Sequence, residues 1–139
     1  MTEINNSFEI ISIKRIPVQD MGALQFFEGI HDIPFEIKRI YYITEVPKNV
    51  WRGGHAHKTL KQILFCPYGN VILRLSDGIN TIDIELDRPD KGVIITRPLW
   101  RDMLWRNEGS VLCVAASDYY NENDYIRNRK EFIKYMEDR

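Results

Sequence analysis

Apolar and β-branched residues along this chain fall in short runs, each closed by a turn signal. Phe8 to Arg15, Ala23 to Glu28, Ile37 to Thr44, Leu60 to Pro67, Asn70 to Ser76, Thr81 to Leu86, Gly92 to Thr96 and Val111 to Ala116 are the runs that predict strands. Gly22, Pro47, Gly53-Gly54, Tyr68-Gly69, Asp77-Gly78, Pro89-Asp90, Pro98 and Glu108-Gly109 punctuate them. Asp77-Gly78 between two of the runs is a hairpin signal, because both residues tolerate the backbone of a tight reversal. Short strands at this spacing, without interleaved helices, predict an all-β sandwich or small barrel.

The period changes near the end. Tyr125, Ile126, Arg129, Phe132, Ile133 and Met136 recur at three- and four-residue steps, predicting an amphipathic helix over about 123–138. Asn123 or Asp124 can cap its first turn. Such a helix would pack outside the barrel or across a subunit boundary. Without a repeat, low-complexity stretch or linker, residues 1–139 read as a single domain.

Composition narrows the setting. The 139 residues can bury one substantial core. Nineteen basic against twenty acidic residues leave a net charge of −1, with no basic excess to favour nucleic acid or an anionic membrane. The longest apolar run, Val111 to Ala116, is too short for a bilayer span, and Met1-Thr2-Glu3 lacks the features of a signal peptide. The expected location is the cytoplasm, with Cys66 and Cys113 as buried free thiols.

The chemistry concentrates in Arg52-Gly-Gly-His55-Ala-His57-Lys58. On a strand, His55 and His57 share a face and would project side by side into one cavity. Two imidazoles predict either a metal site or proton transfer. Gly53-Gly54 would make a turn or allow a substrate close to bare backbone.

The spacing resembles the cupin superfamily of small β-barrels. His55 and His57 are followed by Gln62 where cupins carry Glu, and then by Gly69; Gly92, Pro98 and Asn107 match the second motif, but Met103 stands at its His position. An amide and a thioether replace two of four metal ligands, so the expected site is metal-free, with the histidines available for acid–base work.

Four further blocks are similar to the sugar-nucleotide 3,4-ketoisomerase family: Ile33 to Tyr42, Arg52 to Lys58, Trp100 to Met103, and Ala116 to Arg127. The resemblance runs from about Phe8 to Tyr135. It implies a cupin-type β-barrel or jelly roll with a C-terminal helix, no cofactor, and a homodimer. The implied substrate is dTDP-4-keto-6-deoxy-D-glucose, whose ketone moves from C4 to C3 through an enediolate. The product would feed 3-amino-3,6-dideoxy sugars into a bacterial surface glycan such as lipopolysaccharide or an S-layer glycan.

By the same resemblance, His57 is the base at C3 and His55 a proton donor or shuttle towards C4. Arg39, Arg52 and Lys58 would bind the diphosphate or stabilise the enediolate, and Arg101 would be a further substrate-binding residue, bearing on stereochemistry at C4. Tyr41 or Tyr42 would meet the sugar oxygens, and strand alternation lets only one of them face the cavity. The branch giving a galacto product carries His at position 101 and Arg at position 21; Arg101 here favours the gluco configuration, while Met21 matches neither branch. Ordinary readings stand beside these: Trp100 as a core aromatic, and Lys38 and Arg39 as a solvated strand face. Two alternative functions are an epimerase on the same scaffold and a non-catalytic sugar-nucleotide-binding module.

Overall fold

In the computed structural model, which describes residues 3–139, two five-stranded sheets face each other across a shared core. The strands are β1 (Phe8–Ser12), β2 (Lys14–Val18), β3 (Gly22–Phe26), β4 (Arg39–Ile43), β5 (Trp51–His57) and β6 (Gln62–Tyr68). They continue with β7 (Val71–Ser76), β8 (Thr81–Leu86), β9 (Lys91–Ile95), β10 (Trp100–Trp105), β11 (Val111–Ala116) and β12 (Tyr125–Ile126). One sheet runs β1-β9-β6-β11-β4, the other β12-β5-β10-β7-β8, and β2-β3 form a separate hairpin. Every strand pairing is antiparallel, and the architecture is the expected all-β, cupin-like jelly roll with one helix, α1 (Arg129–Glu137), near its end.

The core lies between the sheets. Leu64, Val93, Ile95, Leu112 and Val114 from the first meet Val71, Leu73, Leu75, Met103 and Trp105 from the second. Each fully buried side chain of this size contributes roughly 1.5–3 kcal/mol relative to exposure. The outer face of the second sheet is covered by α1, where Phe132 packs on Ala56, Trp100 and Ile126. Trp100 is buried as expected, but under the helix and not between the sheets.

Three runs differ from the sequence expectation. Phe8 to Arg15 divides at Ile13, whose buried side chain and hydrogen bond to the Asp90 carbonyl, 2.7 Å, end β1 before the chain turns into the hairpin. β10 escapes the simple pattern because Arg101 occupies an inward-facing position where an apolar residue is usual. The terminal helix begins six residues late: Tyr125 and Ile126 pair with His57 and Ala56 as β12, and Asn128 caps α1 by accepting from the Glu131 N–H. A three-four spacing of apolar residues cannot register that its first members are claimed by a sheet edge.

The hairpin predicted at Asp77-Gly78 forms. The Asp77 carboxylate accepts from the Ile79 and Asn80 N–H groups at 2.9 and 2.7 Å, closing the turn between β7 and β8. Among the described residues no helix is long and apolar enough to cross a membrane.

Candidate active site

The glycine pair before the histidines makes a β-bulge and not a turn, and the Gly53 backbone lies on the cavity wall. Arg52 pairs with Met103, Gly53 with Asp102, and His55 with Arg101, so Gly54 is the extra residue. Arg52 and His55, three positions apart, therefore face the same side, which regular alternation forbids. Gly53 has φ +104°, and a Cβ there would lie 2.8 Å from the Arg101 carbonyl oxygen. The two strands come this close only because the side chain is missing. Beyond the bulge, His55 and His57 point inward and Ala56 points out beneath α1.

The imidazoles meet edge to face with centroids 5.1 Å apart, and Tyr125 lies against both rings, 4.3 Å from His57 and 5.3 Å from His55. His55 lines a cavity of about 330 Å³ together with Arg39, Tyr41, Arg52, Met103 and Tyr125. His57 is only 1% exposed and sits behind it, bordering a space of about 20 Å³. The structure therefore puts His55, not His57, at the cavity wall.

Asp124 stands behind His57, its Oδ2 3.3 Å from Nδ1 but poorly aligned for a hydrogen bond. Its carboxylate is held by the Thr59 N–H and hydroxyl, both at 2.8 Å, and by the Leu60 N–H at 3.2 Å. Sequence reasoning took Asp124 for a helix cap and missed it here. Its contact with Thr59, 65 positions away, leaves no local signal.

Arg101 is 2% exposed and has no carboxylate partner among the described residues. Its Nε and Nη2 donate to the Leu99 carbonyl at 3.3 and 3.1 Å, and Nη1 donates to Gln62 Oε1. Gln62 Nε2 in turn donates to the Tyr41 hydroxyl at 3.2 Å. A buried cation held only by neutral oxygens is costly, so the position is a candidate for function.

Burial, followed by the nearby Arg101 charge, pushes His55 down to about 3 and His57 down to about 2. Both imidazoles are thus neutral at neutral pH. Burial also lowers Arg101, to about 10, so the guanidinium keeps its charge. Burial raises the Tyr41 phenol, against the opposing pull of Arg101 and Gln62.

The cavity rim is cationic. Arg39, Arg52 and Arg127 line it, and no carboxylate does so among the described residues. Arg39 keeps a buried Nε with no protein partner, while its guanidinium stacks near Tyr41 and Tyr120 at 5.4 and 5.7 Å. Arg127 is oriented by two hydrogen bonds to Glu122, at 2.8 and 3.0 Å, and lies 4.1 Å over the Tyr125 ring. Strand alternation selects Tyr41: Tyr42 points away and is 68% exposed. Lys58 is exposed and borders neither space, so of the expected site residues Tyr42 and Lys58 are not brought together with the rest.

Cupin barrels commonly hold a metal, and the corresponding positions here are His55, His57, Gln62 and Met103. These residues do not fit a divalent cation. The Gln62 oxygen is engaged by Arg101, the Met103 thioether suits hard metals poorly, and a guanidinium already supplies positive charge beside them. A separate groove of about 380 Å³, between α1 and the β7–β8 turn, contains no imidazole or thiol.

Fold and site together define a cupin-like barrel whose usual ligand position has become an imidazole pair beside a buried guanidinium. The chain belongs to the WxcM-like, C-terminal (FdtA) family, which it matches over residues 6–137. It is 40% identical over 128 residues to a TDP-4-oxo-6-deoxy-alpha-D-glucose-3,4-oxoisomerase of Aneurinibacillus thermoaerophilus, covering 92% of this chain and 91% of that one. QdtA, a sugar 3,4-ketoisomerase from Thermoanaerobacterium thermosaccharolyticum solved with TDP, superposes with a TM-score of 0.91 at 44% identity, covering 95% of this chain and 96% of that one. WlaRB, a TDP-quinovose 3,4-ketoisomerase of Campylobacter jejuni, gives 0.86 at 41% identity, covering 91% and 97%.

Proposed function

We propose that this protein is a TDP-4-keto-6-deoxy-D-glucose 3,4-ketoisomerase that works without a metal or organic cofactor. The observation that carries this reading is the neutral His55 at the cavity wall, paired across the sheet with Arg101, whose guanidinium is buried. Isomerisation needs a neutral base for the C3 proton and fixed positive charge for the enediolate, and this pair supplies both. The family membership and the identity to the Aneurinibacillus enzyme support the same substrate class.

In the proposed reaction, His55 takes the proton from C3, which the neighbouring C4 carbonyl acidifies. The electron pair forms the C3–C4 double bond, and C4–O carries the negative charge in the field of the buried Arg101. The C3 hydroxyl proton passes to the C4 oxygen, and return of a proton to C4 then leaves a hydroxyl at C4 and the ketone at C3. His57 and Asp124 behind His55 serve to hold and relay the proton. His55 thus takes the role that the resemblance gave to His57, because His57 is shielded from the cavity. Arg39, Arg52 and Arg127 suit the diphosphate, whose charge they complement.

Arg101, in place of a titrating His, favours return of the proton to the face that gives the gluco product, TDP-3-keto-6-deoxy-D-glucose. Its 3-ketone is the electrophile that an amino-transfer step would consume. The chain is read as one domain and as a homodimer joined through the β2-β3 hairpin. Directly opposed Ile16 and Leu24 on that hairpin are about half exposed, at 49% and 59%. Two unpaired thiols, Cys66 and Cys113, accord with a reducing cytoplasm.

The test is incubation with TDP-4-keto-6-deoxyglucose and a chelator, with the product read by proton NMR. Conversion to the 3-keto gluco sugar is expected, with loss of turnover in His55→Asn. Activity that disappears with the chelator and returns with a metal would overturn the metal-free part, and a C4-inverted product would overturn the stereochemistry.

A further inference from the structure

We propose that the small space behind His57 is the site of one bound water molecule, and that this water carries protons between the buried imidazole and solvent. The proposal rests on the ketoisomerase reading and adds a proton path to the same site.

The space, about 20 Å³, has room for a single water. Two of the residues around it, Arg39 and His57, carry buried nitrogens with no hydrogen-bond partner among the described residues: Arg39 Nε and both ring nitrogens of His57. Buried polar groups without a partner are costly, and a bridging water is a common remedy. A third residue of the wall, Asp124, has acceptor capacity to spare. Its Oδ1 accepts from the Thr59 N–H and hydroxyl and its Oδ2 from the Leu60 N–H, so one of a carboxylate's roughly four lone pairs is unused.

This set of groups matches what a water can bind. The Asp124 carboxylate, 3.3 Å from His57 Nδ1 but poorly aligned for a direct bond, favours a hydrogen on that nitrogen. Arg39 Nε–H and His57 Nδ1–H are then two donors for the water's two lone pairs, and Asp124 accepts one of its hydrogens. The second hydrogen is left for the outside, where Asp118, Tyr119 and Asn121 complete the wall and are exposed.

Proton transfer along this path leaves His57 neutral. His57 Nε2 takes the C3 proton from His55 as the Nδ1–H bond breaks towards the water, and the water releases a hydrogen to solvent. The same steps in reverse bring a solvent proton back to His55 and on to C4. Substrate in the larger cavity covers His55, so the path behind His57 is what keeps the pair in exchange with solvent during the reaction.

Crystallography of the intact protein should show an ordered water within hydrogen-bond distance of Arg39 Nε, His57 Nδ1 and Asp124. Turnover in heavy water gives the functional readout, with deuterium at C4 of the product measured by proton NMR at early conversion. Most product molecules made by the parent should carry deuterium there. Asp124→Asn, whose neutral amide no longer holds the hydrogen on Nδ1, should lower that fraction several-fold, because the C3 hydrogen then reaches C4 before it exchanges. A purely structural role would lower kcat without moving the fraction. If Asp124→Asn does not fold, Arg39→Lys, which keeps the charge and removes the Nε donor, is expected to give the same change. A dry space in a structure that orders other buried waters, or equal deuterium in parent and variant, would overturn this inference alone. No turnover by the unmutated protein would overturn the proposed function, while the crystallographic water would still decide the site.

Discussion

Arg101 lies directly across from His55 in the β5–β10 pairing, the extra residue Gly54 having been absorbed just before it. One fixed charge and one neutral base therefore come from neighbouring strands of one rigid sheet. Their separation is set by backbone hydrogen bonding and not by a mobile loop, which favours preorganisation of the reacting groups.

Replacing Arg101 by Lys keeps a charge but loses the planar fork that reaches both Leu99 and Gln62. The expected result is a fall in kcat of about a hundred-fold or more, with the fold retained. Steady-state kinetics beside a thermal melt would check it, and activity within a few-fold of the parent would refute the role given to the guanidinium.

Stability should fall as the solution is acidified through the ordinary histidine range. His55 and His57 are held down at about 3 and 2, whereas in the unfolded chain they titrate near 6.5. Below 6.5 the unfolded chain therefore binds more protons, so their contribution is complete well above 6.5 and is lost progressively towards 3 for His55 and 2 for His57. For two such groups the loss between pH 6.5 and 5 is at most roughly 3 kcal/mol. Urea unfolding at several pH values should show this slope in the parent and its near absence in the His55→Asn/His57→Asn variant.

Gly53→Ala tests the bulge. Both its φ of +104° and the 2.8 Å approach to the Arg101 carbonyl oppose a side chain. Gly22, at φ +83°, has nothing within 4 Å of the corresponding position and isolates the conformational part. Gly22→Ala should cost about 1 kcal/mol, and Gly53→Ala clearly more, with a drop in activity as Arg101 is displaced. Equal losses in urea melts would show that close strand approach is unimportant.

The hairpin predicts its own disruption. Ile16→Lys with Leu24→Lys places two charges face to face on an apolar surface that the proposed dimer covers. Sedimentation should show a dimer for the parent and a monomer for the variant. A monomeric parent would dispose of the dimer.

Much of this architecture was legible in local pattern. Strands β7, β8 and β11 and the Asp77-Gly78 reversal follow from alternation and turn chemistry, which act between residues close in the chain. The His55–Ala56–His57 spacing by itself determined that both imidazoles share a face, since the strand repeat is two. The same repeat required that only one of Tyr41 and Tyr42 could turn inward.

Tertiary structure decided everything that depends on distant partners. Which tyrosine faces the cavity was settled by the pairing of β4 with β11, and His57 was covered where Tyr125 of β12 pairs with it and Asp124 stands behind it. Asp124 left a predicted helix because Thr59 and Leu60 bind its carboxylate. A chain pattern records the period of each segment, but contact between segments depends on register and closure of the whole sheet, quantities that no single segment contains.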